Sequence, residues 1–209
     1  MTPDEIQAHF TRSDGAYLFA RWGRPIVPVV FGVEDQTLEI VKGAIEAVVT
    51  LAGHNMAETD PELGANLMVF FFREWDELLA VPKLGEMIPD LEPLVARLTA
   101  ADASQYRAFR FDDHHAIQAC FTFVRMVPEM ADQPAETLAL TQAVQAIALW
   151  SDTAFSTQSP LAILPDTGAT ILRPEVAALI AATYHPMMPV AADDPSHALR
   201  LFARMQAVE

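Results

Sequence analysis

The chain has 209 residues, 52% of them hydrophobic and 20% charged. That is enough apolar material to bury roughly 70% of the surface an unfolded chain of this size exposes, and it excludes a disordered polymer. A formal charge of −15, with only Lys42 and Lys83 as lysines, argues against nucleic acid bound through its phosphates, and no apolar run approaches the roughly 20 residues of a membrane helix.

Thr2, Pro3, Asp4 and Glu5 carry the cap, first-turn proline and acids of a helix start, which predicts a short helix over Pro3 to Phe10. Ile26 to Phe31 is β-branched and aromatic, yet Pro28 has no N–H to donate, so this strand is expected at a sheet edge or bulged, with Gly32 ending it. Leu38, Val41, Ile45, Val48 and Ala52 recur at three and four, predicting an amphipathic helix from about Glu34 to Ala52 laid on a sheet. Gly53 supplies its C-cap.

Asn66 to Arg73 is apolar without alternation, the mark of a strand covered on both faces. An acidic turn, Glu74 to Leu79, follows, and Pro82 to Ser104 reads as short helices on an excursion between strands. Tyr106 to Phe111 and Ala116 to Met126 are paired strands joined by Asp112-Asp113-His114-His115. A helix is expected over Pro134 to Asp152. Thr153 to Thr170 is a Ser-, Thr-, Pro- and Gly-rich loop with an apolar island at Leu161 to Leu164, too long for an ordinary connector. Pro174 opens a helix through Tyr184, stopped by Pro186 and Pro189, and Asp194-Pro195 opens a last one through Met205. The whole, 1–209, is expected to be a single α+β domain. Cys120 is the one cysteine; it lies in an apolar run without a basic neighbour in sequence and is expected to be a buried, inert thiol. With no basic and apolar leader after Met1, the expected compartment is the cytoplasm.

The residues Leu140-Thr-Gln-Ala-Val-Gln-Ala-Ile-Ala-Leu-Trp-Ser-Asp152 resemble the helix H-E-x-x-H-x-x-G-x-x-H of the metzincin zinc proteases with its chemistry removed. Thr141 and Gln145 stand at the first two histidines, Gln142 at the glutamate, Ala148 at the glycine and Ser151 at the third histidine. Arg21-Trp22 before Pro25-Ile26, the helix end at Thr50 to His54 and the strand Asn66 to Phe70 extend the resemblance upstream. Downstream, Ile163-Leu164-Pro165-Asp166 stands where metzincins place their methionine turn, with Leu164 for the methionine, and Leu172 to Tyr184 resembles the helix that follows. From about Arg21 to Pro189 the chain is similar to an uncharacterised bacterial family that itself looks like a metal-less relative of the metzincins, often exported. The resemblance implies a zincin-like mixed sheet with a long helix packed on it over about 21–152, then a loop and C-terminal helices over 153–209. It implies no catalytic residue, no metal and no cofactor, and a binding or structural role toward a protein, a peptide or a small polar ligand.

The donor chemistry agrees with that implication. Zinc takes histidine, cysteine or carboxylate, and Thr141, Gln145 and Ser151 offer none; Gln142 cannot accept a proton from water as glutamate would. The rival reading is a hydrolase with a non-standard metal or acid/base site built from Asp112, Asp113, His114, His115 and His185, which requires those residues to converge in space. A solvated hairpin tip is the blander expectation for the run at 112–115. His54 is expected to complement a helix C-terminus, and His9 and His197 to lie at the surface. The run Phe70-Phe71-Phe72 with Trp75 is expected in the core. No G-x-S-x-G, P-loop or dinucleotide fingerprint occurs.

Overall fold

Thr2 opens helix α1 (Pro3–Phe10) through a capping box: its hydroxyl accepts the Glu5 N–H at 3.2 Å while the Glu5 carboxylate accepts the Thr2 N–H at 2.7 Å. The computed structural model describes residues 1–207. After a short strand β1 (Phe19–Ala20), β2 (Pro28–Phe31) leads through α2 (Asp35–Leu51) into β3 (Leu67–Phe72). A 3-10 turn (Trp75–Ala80) and helices α3 (Leu84–Met87) and α4 (Leu91–Ala100) form the excursion before the hairpin β4 (Gln105–Phe111) and β5 (Ile117–Arg125). Then come α5 (Pro128–Ala131), α6 (Ala135–Ala146), a hairpin of β6 (Leu161–Ile163) with β7 (Thr170–Leu172), α7 (Pro174–Thr183), β8 (Ala191–Ala192) and α8 (Ser196–Gln206).

The main sheet has the order β2-β3-β5-β4. Its first three strands are parallel and β4 runs antiparallel to β5 at the far edge. Both edges make chemical sense. Pro28 begins β2 at one of them, where a missing N–H disturbs no ladder on its outer side. Between β2 and α2, Gly32 sits at φ +81, where a Cβ would lie 1.9 Å from the Phe71 carbonyl oxygen, so the turn admits only glycine.

All six residues of β3 are buried, and the strand explains its unalternating sequence by feeding two cores. Leu67, Val69 and Phe71 pack with α2, α6, α7 and α8 on one face; Met68, Phe70 and Phe72 pack with Trp75, Leu84, Leu91 and Val95 on the other. Helices on both faces therefore cover an interior strand pair, and the fold is a mixed α+β sheet with α2 and α6 packed side by side on one face. Asn66 pins the start of β3 to β2: its amide oxygen accepts the Val27 N–H at 2.7 Å, and its NH₂ donates to the Pro25 carbonyl at 2.9 Å and to Asp60 at 3.0 Å. Asp60 is itself buried, a condition that raises a carboxyl's pKa, but the Leu63 and Glu62 N–H groups, the Asn66 amide and Arg24 outweigh burial and hold it below the usual value.

Three expectations need correction. The helix expected over Pro134 to Asp152 stops at Ala146, because aromatic side chains, two of them from far along the chain, take its final carbonyls. Trp150 Nε1–H donates to Val144 O at 2.8 Å, Trp22 Nε1–H to Ala146 O at 2.9 Å and the Tyr184 hydroxyl to Ile147 O at 2.7 Å. Beyond them the chain runs extended, with Ala148 bridged to Arg21 and the Leu149 N–H on Ala20 O at 2.8 Å. The loop from Thr153 to Thr170 is not structureless, since its apolar island is strand β6, paired with β7. The first strand of the main sheet pairs from Pro28, and Ile26 instead bridges Met56. Among the described residues no helix is long and apolar enough to cross a membrane.

Candidate functional site

Helix α6 presents the substituted positions one by one, and the structure assigns most of them a structural partner. Thr141 turns its hydroxyl back to donate to Thr137 O at 2.9 Å, the i−4 bond open to helical threonine. Gln142 is 3% exposed and faces the sheet. Its Oε1 accepts from Arg107 Nη2 of β4, and its Nε2 donates to Gln105 Oε1 at 3.4 Å. Gln145, one turn on, is half-buried. Ala148 is buried in the bridge to Arg21.

Ser151 lies beyond the helix and belongs to a different contact. Its N–H donates to His9 O at 2.8 Å, and its hydroxyl donates to Ala8 O at 3.4 Å and lies 3.0 Å from that of Thr153, so it fastens the end of α1. Leu164, at the position of the methionine turn, is 38% exposed on the β6–β7 turn, where Gly168 N–H donates to its carbonyl at 2.8 Å. That hairpin meets α6 through the Thr170 and Thr137 hydroxyls at 2.9 Å.

Arg107 is the residue that sequence reasoning missed. It stands on the antiparallel edge strand opposite fully buried Thr122, and burial pushes its pKa down to about 10. The same side chain corrects the expectation that Cys120 has no basic neighbour. Arg107 does favour the thiolate, but complete burial is the larger effect and carries the thiol up to about 11. The available signal was alternation, because Arg107 shares a parity with Phe109, whose ring packs against the core under α6.

The rival constellation separates. Asp112 accepts the N–H groups of His114 at 2.9 Å and Ala116 at 3.0 Å, and His115 takes φ +61, so the run forms a tight hairpin tip. His114 and His115 line a groove of about 390 Å³ with Leu18, Phe111, Leu149 and Asp193. Asp113 is exposed, and His185 lies outside that lining, at the end of α7, where its Nδ1 accepts the Met187 N–H at 3.1 Å. Among the described residues no three His, Cys, Asp or Glu side chains gather where they could hold a metal ion. A roomier cleft of about 500 Å³, lined by Glu5, His9, Phe155, Arg173 and Glu175 among others, opens beside α1 rather than on the α6 face.

His9 and His197 also depart from expectation. His197 is not a surface residue: it is 0% exposed, its Nδ1 lies 2.8 Å from the Tyr17 hydroxyl, and burial followed by the charge of Arg200 lowers its pKa to about 4. His9 is half-buried against Phe155 and Trp150, which lowers its pKa chiefly by desolvation. His54 closes the end of α2 through its backbone, its N–H donating to Val49 O at 3.0 Å, while its ring Nε2 pairs with Arg24 O at 2.8 Å. Comparison of the chain with family models, curated proteins and solved structures returns no match.

Proposed function

We propose that this protein is a catalytically silent, zincin-like domain, related to the bacterial family that its α6 segment resembles, and that it serves a binding or structural role toward a protein, a peptide or a small polar ligand. The observation that carries the reading is the employment of the substituted side chains. Thr141, Gln142 and Ser151 are engaged by Thr137, by Arg107 with Gln105, and by Ala8 with Thr153, respectively. Water activation on zinc needs both an open ligand set and a base, and these side chains supply neither. The order of elements, with a βαβ unit, an antiparallel edge strand and then a helix, supports the same reading.

The test is a partial restoration. Gln145→His, expressed without a histidine tag, should carry almost no zinc by elemental analysis, since one imidazole on a helix face is a weak site. Stoichiometric zinc in that variant would mean that the remaining ligands are already in place.

A further inference from the structure

Three arginines bury an Nε that has no partner: Arg21, Arg107 and Arg125. Two of them have their charge answered. Arg125 meets Asp102 at 2.5 Å, and the Arg21 guanidinium lies 5.1 Å over the Tyr184 ring. Arg107 has neither: among the described residues it forms no ion pair and lies over no aromatic face. Its Nη2 donates to two neutral amide oxygens, those of Gln105 and Gln142. In a chain with a formal charge of −15, a cation placed at the sheet edge without an acid is a specific omission. Amide dipoles offset only part of what it costs to take a guanidinium out of water.

The surrounding side chains are neutral: the Gln105 and Gln142 amides, the Thr122 hydroxyl and the buried Cys120 thiol. Gln105 and Arg107 come from β4, Thr122 lies across the ladder, and Gln142 approaches from α6 with Gln145 on the next turn of the same side. Amides and a hydroxyl can donate as well as accept. No carboxylate belongs to this group. The free Nε together with Nη2 is the side-on edge of a guanidinium, which matches the two oxygens of a carboxylate.

We propose that Arg107, flanked by Gln105 and Gln142, binds an organic carboxylate at the seam between β4 and α6. This rests on the binding role given above and names its ligand class. The anion takes Nε and Nη2, displaces one or both amide oxygens, and leaves the freed glutamine NH₂ groups to donate to it. A small organic acid and the terminus of a peptide present the same two oxygens.

Calorimetric titration and thermal unfolding with N-acetyl-dialanine as the free acid, with its C-terminal amide and with succinate test the assignment. The acids should bind and raise the unfolding midpoint, and the amide should not; preference for the dipeptide acid assigns a peptide terminus, and preference for succinate a small acid. Arg107→Met should weaken binding at least tenfold; it removes a buried charge but also the donor to the Gln105 and Gln142 amide oxygens, so circular dichroism and the unfolding midpoint of the variant are read alongside its binding. Equal binding of the acid and its amide, or no binding of either acid by the native protein at millimolar concentration, would overturn the proposal. The acid-against-amide comparison needs no variant, so it decides even if Arg107→Met does not fold. Zinc in the protein would defeat the reading of α6, whereas a metal-free protein indifferent to carboxylates defeats only this inference.

Discussion

His197 should make the protein lose stability on mild acidification, and the size of the loss can be worked from its surroundings. The ring is fully buried beside Phe19, with Tyr17 on Nδ1 and no partner on Nε2. An imidazolium carries an N–H on both nitrogens, so the charged ring holds an Nε2–H without an acceptor in the core. The folded pKa of about 4 lies below the ordinary 6.5. Between those values the unfolded chain binds a proton that the folded chain refuses, so stability is complete above pH 6.5 and falls as pH drops toward 4. The gap corresponds to at most ~3.5 kcal/mol at about 1.4 kcal/mol per unit, and relaxation around the charged ring reduces this to about 2 kcal/mol. In a chain of this size that is a midpoint shift of roughly 4 to 8 °C.

His197→Asn keeps a polar group near Nδ1 and removes the titration. Thermal or denaturant unfolding of both proteins from pH 7.5 to 4 should show the native protein losing the extra stability while the variant's profile is flatter. Carboxylates held low in the fold, such as Asp60, Asp152 and Asp194, lose their contribution as pH falls through their folded values in both proteins and cancel in the difference. Parallel profiles would refute the assignment of a neutral, acid-resisting His197.

Val69 lies between Val30 and Thr122 in the sheet interior and is 2% exposed, so Val69→Asp places an unpaired carboxylate at a cost of several kcal/mol against a total of about 5 to 15. The variant should be insoluble or unfolded by circular dichroism, and an unchanged melting temperature would contradict the interior placement. Trp22→Phe removes the donor to Ala146 O at the end of α6 and should cost about 1 to 3 kcal/mol for the orphaned carbonyl, with a further loss for the smaller ring; a denaturation midpoint equal to the native one would show that the cap is dispensable. Cys120, fully buried with its thiol pushed up to about 11, should react with a thiol reagent only as fast as the protein opens, and rapid stoichiometric labelling of the folded protein would refute that burial.

Local rules carried the parts of the fold that local rules control. The three-and-four spacing from Leu38 to Ala52 gave α2 to within a residue at each end, and the unbroken apolar run gave β3 between two covered faces. Pro28 identified an edge. What sequence order could not reveal depends on partners far along the chain. Ile147-Ala-Leu-Trp150 is acceptable helix sequence, and the helix stops only because Trp22 and Tyr184 arrive from more than thirty residues away to take its carbonyls.

His197 was misplaced for a similar reason. Its nearness to the end of the chain suggested exposure, while its spacing with Leu201 and Met205 marks the face of α8 turned to the core. At the α6 face the substituted positions were legible as residue types, but the partner that occupies Gln142 was not. Arg107 is 35 residues earlier, and only the pairing of β4 with β5 beneath α6 brings it there.

The account of α6 is tested most directly by the metal content and peptidase activity of the unmodified protein, purified without a histidine tag and assayed with zinc supplied. The expected result is far less than one zinc per chain and no cleavage of a peptide library. One equivalent of zinc per chain, lost together with peptide cleavage when Gln142 and Gln145 are both replaced by Ala, would contradict it.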